Sequence, residues 1–318
     1  MNQFRNIPQL SLSIVYCFIL FSSCNQASGN KEQAINTETP IIEKNKILSD
    51  KEKSNPSKEF KAYWYAGEAE ISSYKLEQAR YGEIREGKAV LVYVTEPFLP
   101  KKQVKADAQG PNDISVLKLN ATKNFNTGIY PYSIMQSTFY PVSNTDHALK
   151  VSASIQEWCG QVYTQLNNRS KFEIMSHSYF ETEADESFKI DKEILENELW
   201  TKLRINPNAL PTGDMEIIPS LEFIRLKHII LKAYKATAKL SEGSYKIHYP
   251  EINRSLTIDF NPEFPYDIRS WEETYSSGFG SSAQVLTTKA VKIKTIKSAY
   301  WNKNKNSDAQ LRKKLELN

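Results

Sequence analysis

The residue whose type and setting define a chemistry most sharply is Cys24, which follows Ser22-Ser23 and a greasy stretch from Leu10 to Phe21, with Arg5 ahead of that stretch. A charged start, an apolar run, small residues and then cysteine is the layout of a bacterial lipoprotein signal, in which Cys24 is acylated and heads the mature chain. The apolar run is shorter than the ~20 residues of a spanning helix, so residues 1–23 are expected to be removed as a signal peptide. Membrane attachment through acylated Cys24 is therefore expected, in the cell envelope of a Gram-negative-type bacterium, with inner or outer membrane left open. Several acyl chains anchor far better than one, since each buried methylene adds about 0.8 kcal/mol.

The other reactive groups are scattered. His147, His177, His228 and His248 include no pair spaced i, i+3 or i+4, so no metal site is expected. There is no Gly-x-Ser-x-Gly elbow, phosphate loop or dinucleotide fingerprint, and no cofactor is expected. Glu68 and Glu70 stand two apart and would share one face of a strand. Paired carboxylates can do general acid–base work, and with Glu157 they supply the acids of a hydrolase reading. An ion-paired or solvated strand face is the plainer expectation, so no catalytic residue is assigned. With Cys17 removed and Cys24 acylated, Cys159 has no intramolecular partner and is expected to be a small buried side chain. Basic residues number 41 against 37 acidic ones, a net charge of +4, too small and too evenly mixed to argue for nucleic acid.

One segment suggests binding. From Phe125 to Pro141 the chain carries Phe125, Ile129, Tyr130, Tyr132, Ile134, Met135 and Phe139 between Gly128 and two prolines. That punctuation predicts neither a regular strand nor a helix throughout. One reading is a hydrophobic lid over a concave sheet, making a pocket for an acyl chain, with these seven residues as the ligand contacts; the other is an ordinary loop packed on the core.

The elements that must position these groups are mostly strands. Residues Asn25 to about Ser57 lack any aromatic side chain and read as a disordered tether, so 24–58 is the anchor and tether, and 59–318 one β-rich domain. Ala89, Leu91 and Tyr93, then Val151, Ala153 and Ile155, then Tyr245, Ile247 and Tyr249 alternate with their neighbours at period two. Leu256 and Ile258 do the same, as do Val291 and Ile293. Turns are expected at Glu86-Gly87, Asn167-Asn168, Glu242-Gly243 and Asn261-Pro262. Helical spacing marks Asp191–Arg204 and Pro219–His228. The sum is about ten or eleven strands with two or three helices. It predicts a mainly β (α+β) fold, a curved antiparallel meander rolled into a half-barrel and covered by the helices.

Tyr63-Trp64-Tyr65-Ala66-Gly67-Glu68-Ala69-Glu70, Gln78-Ala79-Arg80-Tyr81-Gly82-Glu83 and Val94-Thr95-Glu96 carry a resemblance. Phe125-Asn126-Thr127-Gly128-Ile129-Tyr130-Pro131-Tyr132-Ser133 and Gln156-Glu157-Trp158-Cys159-Gly160 extend it. Together they resemble a family of bacteroidete-type envelope lipoproteins that often carry the label "septum formation inhibitor Maf". Maf proteins themselves are cytoplasmic nucleotide pyrophosphatases with a Ser-x-Ser-Pro-Arg-Arg segment, which this chain lacks, so no catalytic residue carries over. More loosely, the order of strands and helices looks like the periplasmic lipoprotein carriers, whose curved sheets hold acyl chains. That likeness implies a non-catalytic protein binding a hydrophobic ligand, a lipid or a lipidated partner. The competing expectations are an envelope scaffold that binds protein partners and a carboxylate-based hydrolase.

Overall fold

The computed structural model describes residues 56–143 and 146–317. The signal peptide, Cys24 and nearly all of the tether lie outside the described residues. The strands are β1 (Ala69–Arg80), β2 (Glu83–Leu99), β3 (Val104–Lys105), β4 (Ile114–Thr127), β5 (Tyr130–Pro141), β6 (Lys150–Glu157), β7 (Gly160–Asn168) and β8 (Phe172–Ser178). They continue with β9 (Glu186–Ile190), β10 (Ile194–Leu195), β11 (Gly213–Ile218), β12 (Tyr234–Ser241), β13 (Ser244–Tyr249), β14 (Arg254–Phe260), β15 (Ile268–Ser277) and β16 (Gln284–Ser298). The α-helices are α1 (Lys58–Trp64), α2 (Glu196–Ile205), α3 (Leu221–Lys227) and α4 (Gln310–Lys314).

All sixteen strands belong to one sheet, ordered β10-β11-β12-β13-β14-β15-β16-β1-β2-β4-β5-β6-β7-β8-β9, with β3 paired to β2. Every pair is antiparallel except the short β10–β11 pair. The expected curved, mainly β meander is what forms. The sheet is larger than the ten or eleven strands expected, because long hairpins such as β4–β5 had read as loops. It does not close, since β9 and β10 are its two edges. Only residues 191–193 separate those edges in the chain, so Ile190 and Ile194 are at most about 14 Å apart.

The sheet wraps around α2. Arg204 at the end of this helix reaches Glu70 in β1, Asn197 reaches Gln136 in β5, and Glu196 reaches Tyr249 and Arg254 beside β13 and β14. Strands this far apart in the sheet order can meet one ten-residue helix only if the sheet curls about it. The main core lies on this inner face and includes Trp64, Tyr93, Leu199, Leu203, Ile247 and Trp271. A smaller cluster of Ala69, Ile71, Val94 and Leu315 lies on the outer face.

Four expectations are corrected. Gly87 is not a turn but sits within β2, where a Cβ would stand 2.4 Å from the Asn124 carbonyl oxygen and 2.8 Å from Phe125 Cβ. The reversal falls instead at Tyr81-Gly82, both at positive φ (55° and 76°), the backbone that a two-residue hairpin needs. The helix expected over Asp191–Arg204 begins at Glu196, because Ile194-Leu195 pairs with β11 first. In β16 the inner face is taken by Thr288 and Ala290, while Val291 is exposed. An irregularity at Ser73/Tyr74 of β1 shifts the register beyond this point.

The fourth correction concerns Phe125–Pro141, which is a hairpin of the sheet itself and not a lid. β4 and β5 pair residue for residue from Val116–Pro141 to Thr127–Tyr130, around the turn Gly128-Ile129. A two-residue turn makes Thr127–Tyr130 a hydrogen-bonded pair, so Pro131 and Pro141 fall at positions whose nitrogen faces away from β4. On that side β6 pairs only with Ser133–Phe139. Each proline therefore lies just beyond the ladder that it would break.

Candidate functional site

The interior carries two clusters of paired charges among its apolar side chains. Arg204 donates from both terminal nitrogens to Glu70, at 2.7 Å each, and Tyr63 Oη donates to the same carboxylate at 2.6 Å. Burial pushes the Glu70 carboxyl up, but the charge and hydrogen bonds of Arg204 outweigh it and hold Glu70 below the usual carboxylate range. A second cluster lines a small cavity of about 50 Å³. Arg254 spans Glu196 and Glu273, and Lys123 and Gln136 donate to Glu222 at 2.8 and 2.9 Å. Three carboxylates meet two cations there. Burial, with repulsion from Glu273, holds Glu222 above the usual range despite Lys123. A polar cavity of this size suits a few waters and not an acyl chain. The acids converge, but in the core and already bonded.

The open space lies elsewhere. Because successive strands run in opposite directions, alternate connections share one end of the sheet. The turns at Tyr81-Gly82, Gly128-Ile129 and Trp158-Cys159, the β8–β9 and β15–β16 connections, and α3 between β11 and β12 all fall at this end. Ile129, Trp158, Tyr179, Ile230 and Phe279 project from it, each at least 67% exposed. Beside them is a cleft of about 750 Å³ between β7–β9 and α3. Val162, Ile174, Phe188, Leu221, Ile224 and Leu231 supply its apolar lining. Glu183, Arg225 and His228 stand in its wall, with Arg225 Nη1 and His228 Nδ1 on Glu183 Oε1 at 3.0 and 2.8 Å. The volume is that of a small-molecule site, and an apolar lining with a few placed polar groups is the usual composition of one.

The local sequence explains why α3 stands here. Ser220 caps the helix by accepting from the Phe223 amide at 3.2 Å, and His228 ends it in the left-handed conformation at φ 52°. Leu221, Ile224 and Leu226 are buried against the sheet. Arg225 and His228 face the cleft, where they join Leu221 and Ile224 in its wall.

The sequence-predicted ligand residues do not gather into one pocket. Phe125, Tyr132 and Ile134 are buried in the core, and Phe125 stacks on Tyr132 with ring centroids 5.0 Å apart. Met135 lies on the outer face, Phe139 is half-buried against Phe98, and Ile129 is a hairpin tip. Tyr130 packs at the same end, 6.4 Å from Trp158. None of the seven lines the cleft, although Tyr132 walls a smaller hollow beside it. Glu70 is ion-paired, Glu68 is half-buried ahead of β1, and Glu157 lies in a distant hairpin, where it accepts from the Cys159 amide at 2.7 Å. Cys159 is exposed in that hairpin, not buried as expected, and the Glu157 carboxylate pushes its thiol up. That direction leaves less thiolate, so the residue is a poor nucleophile. Among the described residues no cluster of metal-ligating side chains forms, and no helix is long and apolar enough to cross a membrane.

What sequence reasoning missed are Arg80, Arg204, Arg254 and the Glu196-Asn197-Glu198 run, all buried. An acidic run between Leu195 and Leu199 reads as a solvated helix start. Nothing local shows that its partners arrive from β5, β13 and β14.

No family model and no curated protein matches the chain. Among solved structures, it is similar to a beta-barrel-like protein of a domain of unknown function, DUF1849, from Brucella abortus. The identity is 7% and the TM-score 0.43, over 72% of this chain and 97% of that one.

Proposed function

We propose that this chain is a non-catalytic binding protein of the cell envelope, holding an elongated apolar molecule in the cleft between β7–β9 and α3. The observation that carries this reading is the cleft itself, of ligand size at about 750 Å³, whereas the core cavity holds only about 50 Å³ among paired charges. The signal-like segment ending at Cys24 and the resemblance to envelope lipoproteins support the address. Of the acids of a hydrolase reading, Glu70 is bonded to Arg204 in the core while Glu68 and Glu157 lie apart from it, which favours binding over catalysis. A second reading, an assembly factor for envelope proteins, draws on the apolar tips at the same end. Native mass spectrometry of the whole chain, followed by organic extraction, separates the two. A stoichiometric copurifying lipid is expected. A clean unliganded mass over repeated preparations, with no uptake of added fatty acid, would overturn the binding reading and leave the assembly factor.

A further inference from the structure

Among the described residues three arginines are buried, and two of them have carboxylates. Arg204 is held by Glu70, and Arg254 by Glu196 and Glu273. Arg80, at the end of β1 and 9% exposed, has none within ion-pair distance among the described residues. Its Nη1 donates to the Leu226 carbonyl at 2.7 Å, and its Nη2 to the hydroxyls of Tyr81 and Tyr132 at 3.1 Å each. Its Nε is buried without a partner, and its guanidinium lies 4.2 Å from the centre of the Tyr81 ring. A buried charge left with neutral partners is costly, and the usual remedy is a counter-ion.

The hollow beside Arg80 has a volume of about 100 Å³ and is walled by Arg80, Tyr81, Tyr132, Phe180, Arg225 and His228 among others. Arg225 and His228 also line the apolar cleft, so the two spaces share a wall. Arg225 has a buried, unpartnered Nε as well. The carboxylates nearest the hollow are Glu183, already bonded to Arg225, His228 and Ser178, and Glu157, which takes the Cys159 amide, while Glu186 lines the cleft from the exposed start of β9. None reaches Arg80. Burial holds both Arg225 and Lys227 below their usual values, and the charge of Arg80 adds to this in each case, as expected for cations crowded without enough anion.

We infer that Arg80 and Arg225 form a headgroup site for anionic oxygen, and that the ligand is an acidic amphiphile whose tail lies in the cleft. This rests on the binding reading above and narrows it from an apolar molecule to one bearing a carboxylate or phosphate. Guanidinium forks suit either group, because two parallel N–H donors match two oxygens. The Tyr81 and Tyr132 hydroxyls both accept from Arg80 and are bonded to each other at 2.8 Å, which leaves one hydroxyl proton of the two to offer an anion.

The test uses the whole chain and two fluorescent probes that differ only in head charge, a dansyl-tailed undecanoic acid and its primary amide. The acid is expected to bind at least ~10-fold more tightly than the amide, a difference of about 1.4 kcal/mol. Arg80→Met and, separately, Arg225→Gln, at a side chain 10% exposed, are each expected to remove the acid's advantage over the amide, so that the two probes bind alike. Equal affinity for both probes in the unmodified chain, or a preference that survives both substitutions, would overturn the headgroup site and leave the cleft reading standing. Failure of both probes to bind would overturn the cleft reading, and this one with it. Inorganic phosphate binding as tightly as the acid would show a site for a free anion and overturn the amphiphile.

Discussion

At the scale of residues, the buried carboxylates do not all act alike on the pH dependence of stability. Removing one partner of a buried pair strands the other charge, which costs about 3–5 kcal/mol. Glu70→Gln is therefore expected to lower unfolding stability by about that amount at pH 7, read from the urea midpoint. The sign of the pH dependence follows from direction. Glu70 and Glu196 are held below the ordinary carboxylate value of 4.5 in the folded state, so their stabilisation is present above that pH and is lost as pH falls through their folded values. Glu222 is held above it and opposes folding increasingly as pH rises past 4.5. Urea unfolding between pH 3 and 7 should show an acid loss that is shallower in Glu70→Gln than in the unmodified chain. An equal slope would show that Glu70 is not held low. The seven aromatic and aliphatic residues of the 125–141 segment divide by the same logic of burial. Ile134→Asp is expected to abolish the folded circular-dichroism signal. Ile129→Asp, at a tip 85% exposed, should leave the melting temperature unchanged.

At the scale of elements, strand period was legible and strand extent was not. The alternation of Tyr245, Ile247 and Tyr249 reads directly because each side chain meets one face. Prolines hid β5, since their harmlessness depends on where β6 stops pairing, and that is fixed by a different strand. Gly87 misled for a related reason. It is small because Phe125 of β4 crowds it, a fact that belongs to the pairing and not to the segment. Gly87→Ala should accordingly cost about 1–3 kcal/mol through overpacking against backbone, visible as a lowered thermal midpoint. No change would mean that β2 and β4 can part without penalty. Helices α2 and α3 were placed to within about five residues by apolar spacing. Their role inside the curl was not, because amphipathic spacing does not say which surface is covered.

At the scale of the molecule, fold class followed from composition and period, whereas the site did not. A curved antiparallel meander needs only alternating strands and short turns, which are local signals. The cleft arises where a sheet of this width fails to close, and its walls come from β7, β8, β9 and α3, spread over residues 162–231. No motif spans that distance. The aromatic segment at 125–141 drew attention instead, because aromatic density is visible in sequence and concavity is not. The account thus stands on a place. A photoactivatable diazirine fatty acid, crosslinked to the whole chain and mapped by peptide mass, tests that place. Labels on peptides from β7–β9 and from residues 221–231 are predicted, competed away by unlabelled fatty acid. Labels confined to the tips around Ile129, Trp158 and Phe279, or none that compete, would contradict a ligand held in the cleft.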